Sequence, residues 1–178
     1  MSLRGRLPGT WSSSQARSLS GAFESVQRVE LPEPVVECSA AGAKRLGELY
    51  WRELERSTLG LVRARPTGGA PRLRLLGVGP TLLCFGQPEL RVSPSSVSCL
   101  YPIRGGLLTR AAAGSISFTQ TGSYDVAVCS SICGFFPRLA GYSHRSRWNS
   151  LLYAQIQQRL HVALGRRFFA RLCQEAGR

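Results

Sequence analysis

The sequence predicts an α+β domain in which a curved antiparallel β-sheet packs on a long C-terminal helix. Three observations carry this prediction. A helical pattern of apolar residues follows the first strand-like segment, residues 58–132 alternate with a period of two, and the helical period returns near the C-terminus. The 178 residues, of which 43% are hydrophobic, suffice for one domain with its own core.

The N-terminal segment, residues 1–25, is rich in serine and arginine. This composition is typical of a disordered segment and also of an organelle transit peptide. We expect disorder, because Pro8 and Gly9 interrupt any amphipathic helix, and we place a single α+β domain at residues 26–178. The corresponding location is cytoplasmic, with an organelle as the alternative if the segment is a transit peptide.

The first strand and the first helix follow. Residues 26–40 predict a strand pair, or one strand broken at its two prolines, as on an edge or at a bulge. Ser39 stands where a helix N-cap is expected. Residues 42–56 predict a shorter amphipathic helix despite Gly47. Its apolar residues at helical spacing are Leu46, Leu49, Tyr50 and Leu54.

Residues 58–132 predict an antiparallel meander, because turn signals interrupt the alternating segments every eight to twelve residues or so. We read residues 105–110 as one of its strands. Ile116 and Phe118 share one face of a later strand. Residues 121–123, Thr-Gly-Ser, predict a hairpin turn, and Tyr124, Val126 and Val128 share one face of the strand that follows.

The C-terminal segment from about residue 147 to residue 175 predicts a helix on the order of 40 Å long. Its apolar stripe comprises Trp148, Leu152, Ile156, Leu160, Leu164, Phe168 and Leu172. Basic residues near its C-terminal end suit the helix dipole.

This order of elements resembles the helix-grip architecture of the START-like and Bet v 1-like (SRPBCC-type) superfamily. The resemblance covers about residues 26–175 and rests on element order and the long final helix. One departure is that a single helix stands where that superfamily usually has a pair. The resemblance implies a cavity between sheet and helix that holds a hydrophobic molecule, and it transfers no functional residue.

The first functional hypothesis is therefore non-catalytic binding of a hydrophobic or amphipathic, lipid-like molecule between sheet and helix, without a cofactor. Arg104 would offer a charge at the rim of the cavity. The predicted ligand-binding residues are Tyr101, Ile103, Arg104, Leu108, Phe118, Tyr124, Val126, Ile156 and Leu160.

The second hypothesis is an enzyme of cyclase-like or hydrolytic type on the same scaffold. Its catalytic candidates are Tyr124, Asp125 and His161, because acid–base catalysis needs titratable groups placed together. The chain contains no GxSxG, HExxH or nucleotide-binding glycine pattern. The spacing of Cys129, Cys133 and the two histidines does not match a zinc finger, so no metal site is predicted.

The third hypothesis is a basic interaction module. The formal net charge is +13, and 22 of the 23 cations are arginines, since Lys44 is the single lysine. Residues 134–178 carry eight arginines and one glutamate, a net charge of +7. Such a surface suits an anionic membrane or an acidic protein, whereas nucleic acid is disfavoured because no recognisable binding module is present.

Three further features have two readings each. Arg104-Gly105-Gly106 is either a bend in a strand, with Arg104 in water, or a rim site for an anionic group. The aromatic loop that begins at Phe135 either plugs one end of the core, or it gates a hydrophobic pocket or dips into a membrane surface. The six cysteines are read as buried free thiols in preference to disulfides, because the chain is not a short secreted domain.

Overall fold

The computed structural model describes residues 10–123, 125–138 and 162–174. The described chain contains a nine-stranded antiparallel sheet and two helices. The elements are β1 (Trp11–Arg17), β2 (Phe23–Leu31), α1 (Ala40–Ser57), β3 (Val62–Thr67), β4 (Ala70–Leu75), β5 (Thr81–Phe85), β6 (Glu89–Ser93), β7 (Ser96–Gly105), β8 (Ser115–Thr121), β9 (Val126–Phe135) and α2 (162–174). The predicted α+β class with a large antiparallel sheet is confirmed.

The strands run in the spatial order β1-β2-β9-β8-β7-β5-β4-β3, and β6 pairs with the first half of β7. The sheet therefore joins the N-terminal strands to the last strand of the meander. Both helices cover the same side of the sheet, which we call the inner face. The opposite side is the outer face.

Helix α1 forms where the apolar spacing predicts it. The side chain of Ser39 caps it, with Oγ accepting from the Gly42 N–H at 3.0 Å. Leu46, Leu49 and Tyr50 are buried against the strands β7 and β8, so the predicted stripe is the packing face. The strand before it ends at Leu31, immediately before the first of the two prolines.

Helix α2 spans residues 162–174 of the described chain. Leu164, Phe168, Phe169 and Leu172 are buried, which agrees with the predicted stripe over this stretch. The earlier part of the predicted helix, residues 147–161, lies outside the described residues. Neither described helix is long and apolar enough to span a bilayer.

The described part of the N-terminal segment, for which disorder over residues 1–25 is predicted, contains strands, and residues 1–9 lie outside the described residues. Trp11–Arg17 forms an edge strand that pairs with all of Phe23–Val29. The apolar anchor of this strand is Trp11, which packs at the margin of the core and lies 4.9 Å from the guanidinium of Arg166 in α2. The sequence of this strand shows no alternation of apolar and polar residues, because Trp11 is the only large apolar side chain on its inner face.

Residues 105–110 also differ from the prediction of a strand. Strand β7 ends at Gly105, and residues 106–114 form the loop to β8. The loop is held by the hydroxyl of Thr109, which lies 3.0 Å from the carbonyl oxygen of Phe136 and 2.8 Å from that of Ala111.

Candidate ligand-binding site

The inner face brings four of the predicted ligand-binding residues together. Tyr101 and Ile103 come from β7, Phe118 from β8 and Val126 from β9, and all four are at least 96% buried. Alternation along adjacent antiparallel strands places them on one side of the sheet. The four residues therefore share the inner face of the sheet.

An aromatic wall lies on this face and joins the sheet to both helices. It comprises Tyr50, Trp51, Phe85, Tyr101, Phe118 and Phe168. The ring centroids of Tyr50 and Phe118 are 4.6 Å apart, and those of Phe118 and Phe168 are 5.6 Å apart. The ring centroids of Trp51 and Phe85 are 5.1 Å apart. Trp51 also packs edge-on against Tyr101, with the centroids 5.2 Å apart. These contacts fix the rings in edge-on and tilted pairs that stabilise the interior.

The aromatic wall also contains four residues that were not among the predicted ligand-binding residues, namely Tyr50, Trp51, Phe85 and Phe168. Tyr50 and Phe168 do lie on the apolar stripes of the two predicted helices, so a search of helix faces finds them. Trp51 is one residue further along α1 and is buried because the helix packs across several strands.

The wall is uncharged at neutral pH. Burial raises the pKa of Tyr50 and of Tyr101 well above the usual value. A hydrogen bond with the Cys99 thiol raises the pKa of Tyr101 further, whereas the adjacent Trp51 indole lowers it. Burial also raises the pKa of the Cys99 thiol. These groups therefore offer hydroxyl and thiol hydrogens in an apolar setting without carrying charge.

A more polar region of the inner face lies on β1 and β2. Gln15 and Ser25 are directly paired across these strands. Gln15 Nε2 and Ser25 Oγ are both buried without a hydrogen-bond partner among the described residues, and Ser25 is 1% exposed. The neighbouring Gln27 is fully buried, and Gly165 of α2 packs directly on its amide. Polar groups of β1 and β2 thus continue the inner face beyond the aromatic wall.

Two predicted ligand-binding residues lie elsewhere. Arg104 is exposed on the outer face, where its Nε lies 3.0 Å from the position of a β-carbon on Gly86. Its side chain points away from Tyr101 and Ile103 because strand residues alternate between faces. Leu108 is half-buried in the loop after β7, and its N–H donates to the Leu82 carbonyl at 3.0 Å. Neither residue belongs to the aromatic wall.

The two glycines after Arg104 act as a turn. Gly105 and Gly106 have φ angles of 141° and 126°. A β-carbon on Gly106 would meet the Leu82 carbonyl and would lie 2.7 Å from Leu83 Cα. The close approach of β5 therefore requires glycine at this position. This favours the bend reading of the Arg-Gly-Gly stretch.

The catalytic candidates are not brought together within the described residues. Asp125 is exposed in the turn between β8 and β9. Tyr124 and His161, like the predicted ligand-binding residues Ile156 and Leu160, lie outside the described residues. Of the aromatic loop, Phe135 is buried in the core and Phe136 is half-buried, which favours the plug reading for this part.

All six cysteines are described, and all are free thiols. Only Cys99 is buried, Cys133 is exposed and the other four are half-buried, so the expectation of buried thiols holds for one of them. Within the described ranges no group of three or more His, Cys, Asp or Glu side chains is placed to hold a metal ion.

No protein-family model, no curated protein and no solved structure matches this chain.

Proposed function

We propose that this protein binds a hydrophobic or amphipathic small molecule between the inner face of the sheet and its helices. One observation carries the proposal. The inner face combines a continuous aromatic wall with two buried polar atoms that have no hydrogen-bond partner among the described residues, namely Gln15 Nε2 and Ser25 Oγ.

Buried hydrogen-bond donors on the inner face without an acceptor among the described residues favour a bound ligand. A buried polar atom without a partner costs about 1–3 kcal/mol, so proteins pair nearly all such atoms. Gln15 and Ser25 face each other across β1 and β2 and remain without partners in the described chain. The polar end of an amphipathic ligand would supply the missing acceptor, while its apolar body would lie along the ring of Phe118.

The order of the elements supports the same proposal. The strand that precedes α1 lies beside the last strand, and both helices cover the inner face. This is the arrangement that a START-like helix-grip architecture would have, with a final helix running from about residue 147 to residue 175. We propose this architecture and this longer final helix for the chain.

Fluorescence titration of the delipidated full-length protein with dansylated undecanoic acid tests the proposal. Saturable binding with a blue-shifted dansyl emission is the expected result. Ser25→Ala should weaken binding about two- to tenfold, the contribution of one hydrogen bond, while leaving stability unchanged or raised because an unpaired hydroxyl is removed.

Ser117→Ala is the matched control, because Ser117 is a half-buried serine on the outer face of β8. It should leave dansyl binding unchanged. The absence of saturable binding by the wild-type protein, for this probe and for an uncharged dansyl amide of the same chain length, would overturn the proposal.

A further inference from the structure

The β3–β4 hairpin carries four arginines on its outer face. Arg63 is directly opposite Arg74, and Arg65 is directly opposite Arg72. Arg63, Arg65 and Arg72 are exposed, whereas the alternate residues of β4, Pro71 and Leu73, are buried on the inner face. Like charges directly across a strand pair repel each other, so this register is unfavourable for the fold alone.

No carboxylate neutralises these arginines within the part of the chain that the structure describes. The ion pairs of that part include those of other cations, at Arg28, Lys44, Arg52 and Arg56. Arg74 Nε is buried without a hydrogen-bond partner there. Glu55 approaches the hairpin, but its carboxylate accepts from the Ala64 N–H at 2.8 Å. The four guanidinium groups therefore form a concentrated positive surface.

Protection of a sheet edge does not account for this cluster. β3 is the last strand of the sheet, and charged residues on such a strand discourage pairing with another chain. Arg63 and Arg65 would suffice for that purpose. Arg72 and Arg74 lie on β4, which is already paired on both sides.

Exposed aliphatic side chains lie at one end of the same hairpin. Leu59 and Leu61 precede β3, and Leu76 and Val78 follow β4; the Leu76 N–H donates to the Leu61 carbonyl at 2.7 Å, which holds the two loops together. Leu59 is 92% exposed, Leu76 is 57% exposed and Val78 is 84% exposed. The pair Arg63–Arg74 is one residue away from this end. Aliphatic and cationic groups are thus contiguous.

Two of these leucines also have an unfavourable backbone. Leu59 has a φ of 52° and Leu76 a φ of 53°, in the left-handed region that asparagine and glycine tolerate better. Each of these leucines destabilises the fold in two ways, because its apolar side chain is exposed to water and its backbone has a positive φ. Such costs concentrate at sites that contact a ligand or a surface.

We propose that the four arginines of the hairpin and the aliphatic loops beside them dock this protein on an anionic lipid bilayer. The guanidinium groups bind headgroup phosphates and carboxylates, and the leucines enter the acyl region. A bilayer fits better than nucleic acid, because the exposed large apolar side chains of the described residues are all leucine or valine and offer no ring for base stacking. This goes beyond the proposed ligand binding, which concerns the opposite face of the sheet.

Vesicle flotation of the full-length protein tests the proposal. We expect it to float with phosphatidylcholine vesicles that contain about one-quarter phosphatidylserine and to stay behind with pure phosphatidylcholine. Arg63→Gln with Arg74→Gln should weaken binding by about fivefold for each arginine removed. Binding should also fall as salt rises from about 0.05 M to about 0.5 M.

Leu59→Asn with Leu76→Asn separates docking from folding. Asparagine tolerates the left-handed backbone, so the melting temperature should hold or rise while flotation falls at least fivefold. Leu19→Asn is the matched control for the leucines, because Leu19 is fully exposed in the turn between β1 and β2, at the opposite edge of the sheet. Arg17→Gln with Arg91→Gln is the control for loss of charge, because both arginines are exposed elsewhere.

Three results would overturn the proposal. One is equal flotation of wild-type protein and hairpin variants. Another is an equal loss of binding in the control variants. The third is a loss of vesicle binding in the α2 variant Arg166→Gln with Arg167→Gln, while the hairpin variants still bind the vesicles.

Discussion

Gly47 of α1 packs directly against the phenol ring of Tyr101 in β7. A β-carbon on Gly47 would lie 2.7 Å from Cε2 and 2.9 Å from Cζ of that ring, and closer still to its hydroxyl. The contact explains a glycine in the middle of an otherwise strong helix. It also sets the distance between α1 and β7.

Gly47→Ala should therefore destabilise the protein although alanine is the better helix former. Helix propensity favours alanine by about 1 kcal/mol, but overpacking against a buried ring costs about 1–3 kcal/mol. We expect a net loss of up to about 2 kcal/mol in urea unfolding. Adding Tyr101→Leu should recover part of that loss, and a single variant more stable than wild type would contradict the contact.

Gln120 should be a second determinant of stability. Its buried Oε1 accepts from the N–H groups of Val35 and Val36, at 2.9 Å and 3.1 Å, and its Nε2 donates to the Val36 carbonyl at 2.7 Å. Gln120→Met keeps the size but leaves these backbone groups unpaired, so we expect a loss of about 2 kcal/mol or more in urea unfolding.

Thr119→Val provides the control for this prediction, because Thr119 is the neighbouring residue on the outer face of β8. It should change the unfolding free energy by about 0.5 kcal/mol or less. Equal effects of the two substitutions would show that the glutamine does not hold the loop after β2.

Stability should fall at alkaline pH. The folded-state pKa values of Tyr50, Tyr101 and Cys99 are raised by burial, so the native state retains these protons more strongly than the unfolded chain does. The resulting stabilisation is complete below the unfolded pKa values, about 8.5 for cysteine and about 10 for tyrosine, and is lost as pH rises past them.

Urea unfolding at a series of pH values checks this prediction. The unfolding free energy should decline above about pH 8.5, and Tyr50→Phe should reduce the part of the decline that lies above about pH 10. Absorbance of tyrosinate should show that ionisation of the buried tyrosines accompanies unfolding. A stability that is constant up to about pH 11 would be inconsistent with burial of both rings.

The turn after Arg104 predicts a difference between two adjacent glycines. Gly106→Ala should cost well over 1 kcal/mol, because its β-carbon would meet the backbone of Leu82 and Leu83. Gly105→Ala has open space around it, so its cost should be limited to the unfavourable φ. Thermal unfolding compares the two, and equal melting temperatures would refute the close approach.

Arg104→Ala should leave the melting temperature nearly unchanged, because the side chain is exposed on the outer face. It should also leave binding of the dansylated acid on the inner face unchanged. A clear loss of that binding would instead place Arg104 at the rim of the ligand site.

The helix and the inner face could be predicted because both follow from periodicity. Ser39 and the stripe from Leu46 to Leu54 identified α1, and alternation identified Tyr101, Ile103 and Phe118 as neighbours on one face. The edge strand at Trp11–Arg17 could not be predicted, because its serines give no period and its partner strand is what stabilises it.

The arginine surface also needed the structure. The alternation of arginine and leucine in β4 is visible in the sequence, but the facing of Arg63 and Arg74 depends on strand register. The left-handed backbone of Leu59 and Leu76 could not be predicted from the sequence either, because leucine rarely adopts a positive φ.

Native mass spectrometry of the full-length protein, purified without detergent, tests the central claim most directly. We predict a bound small molecule that is retained under native conditions and released on denaturation, and extraction should identify it as an amphipathic, lipid-like compound. Wild-type protein that shows only its own mass under native conditions, and that also fails to bind the dansylated acid, would contradict the claim.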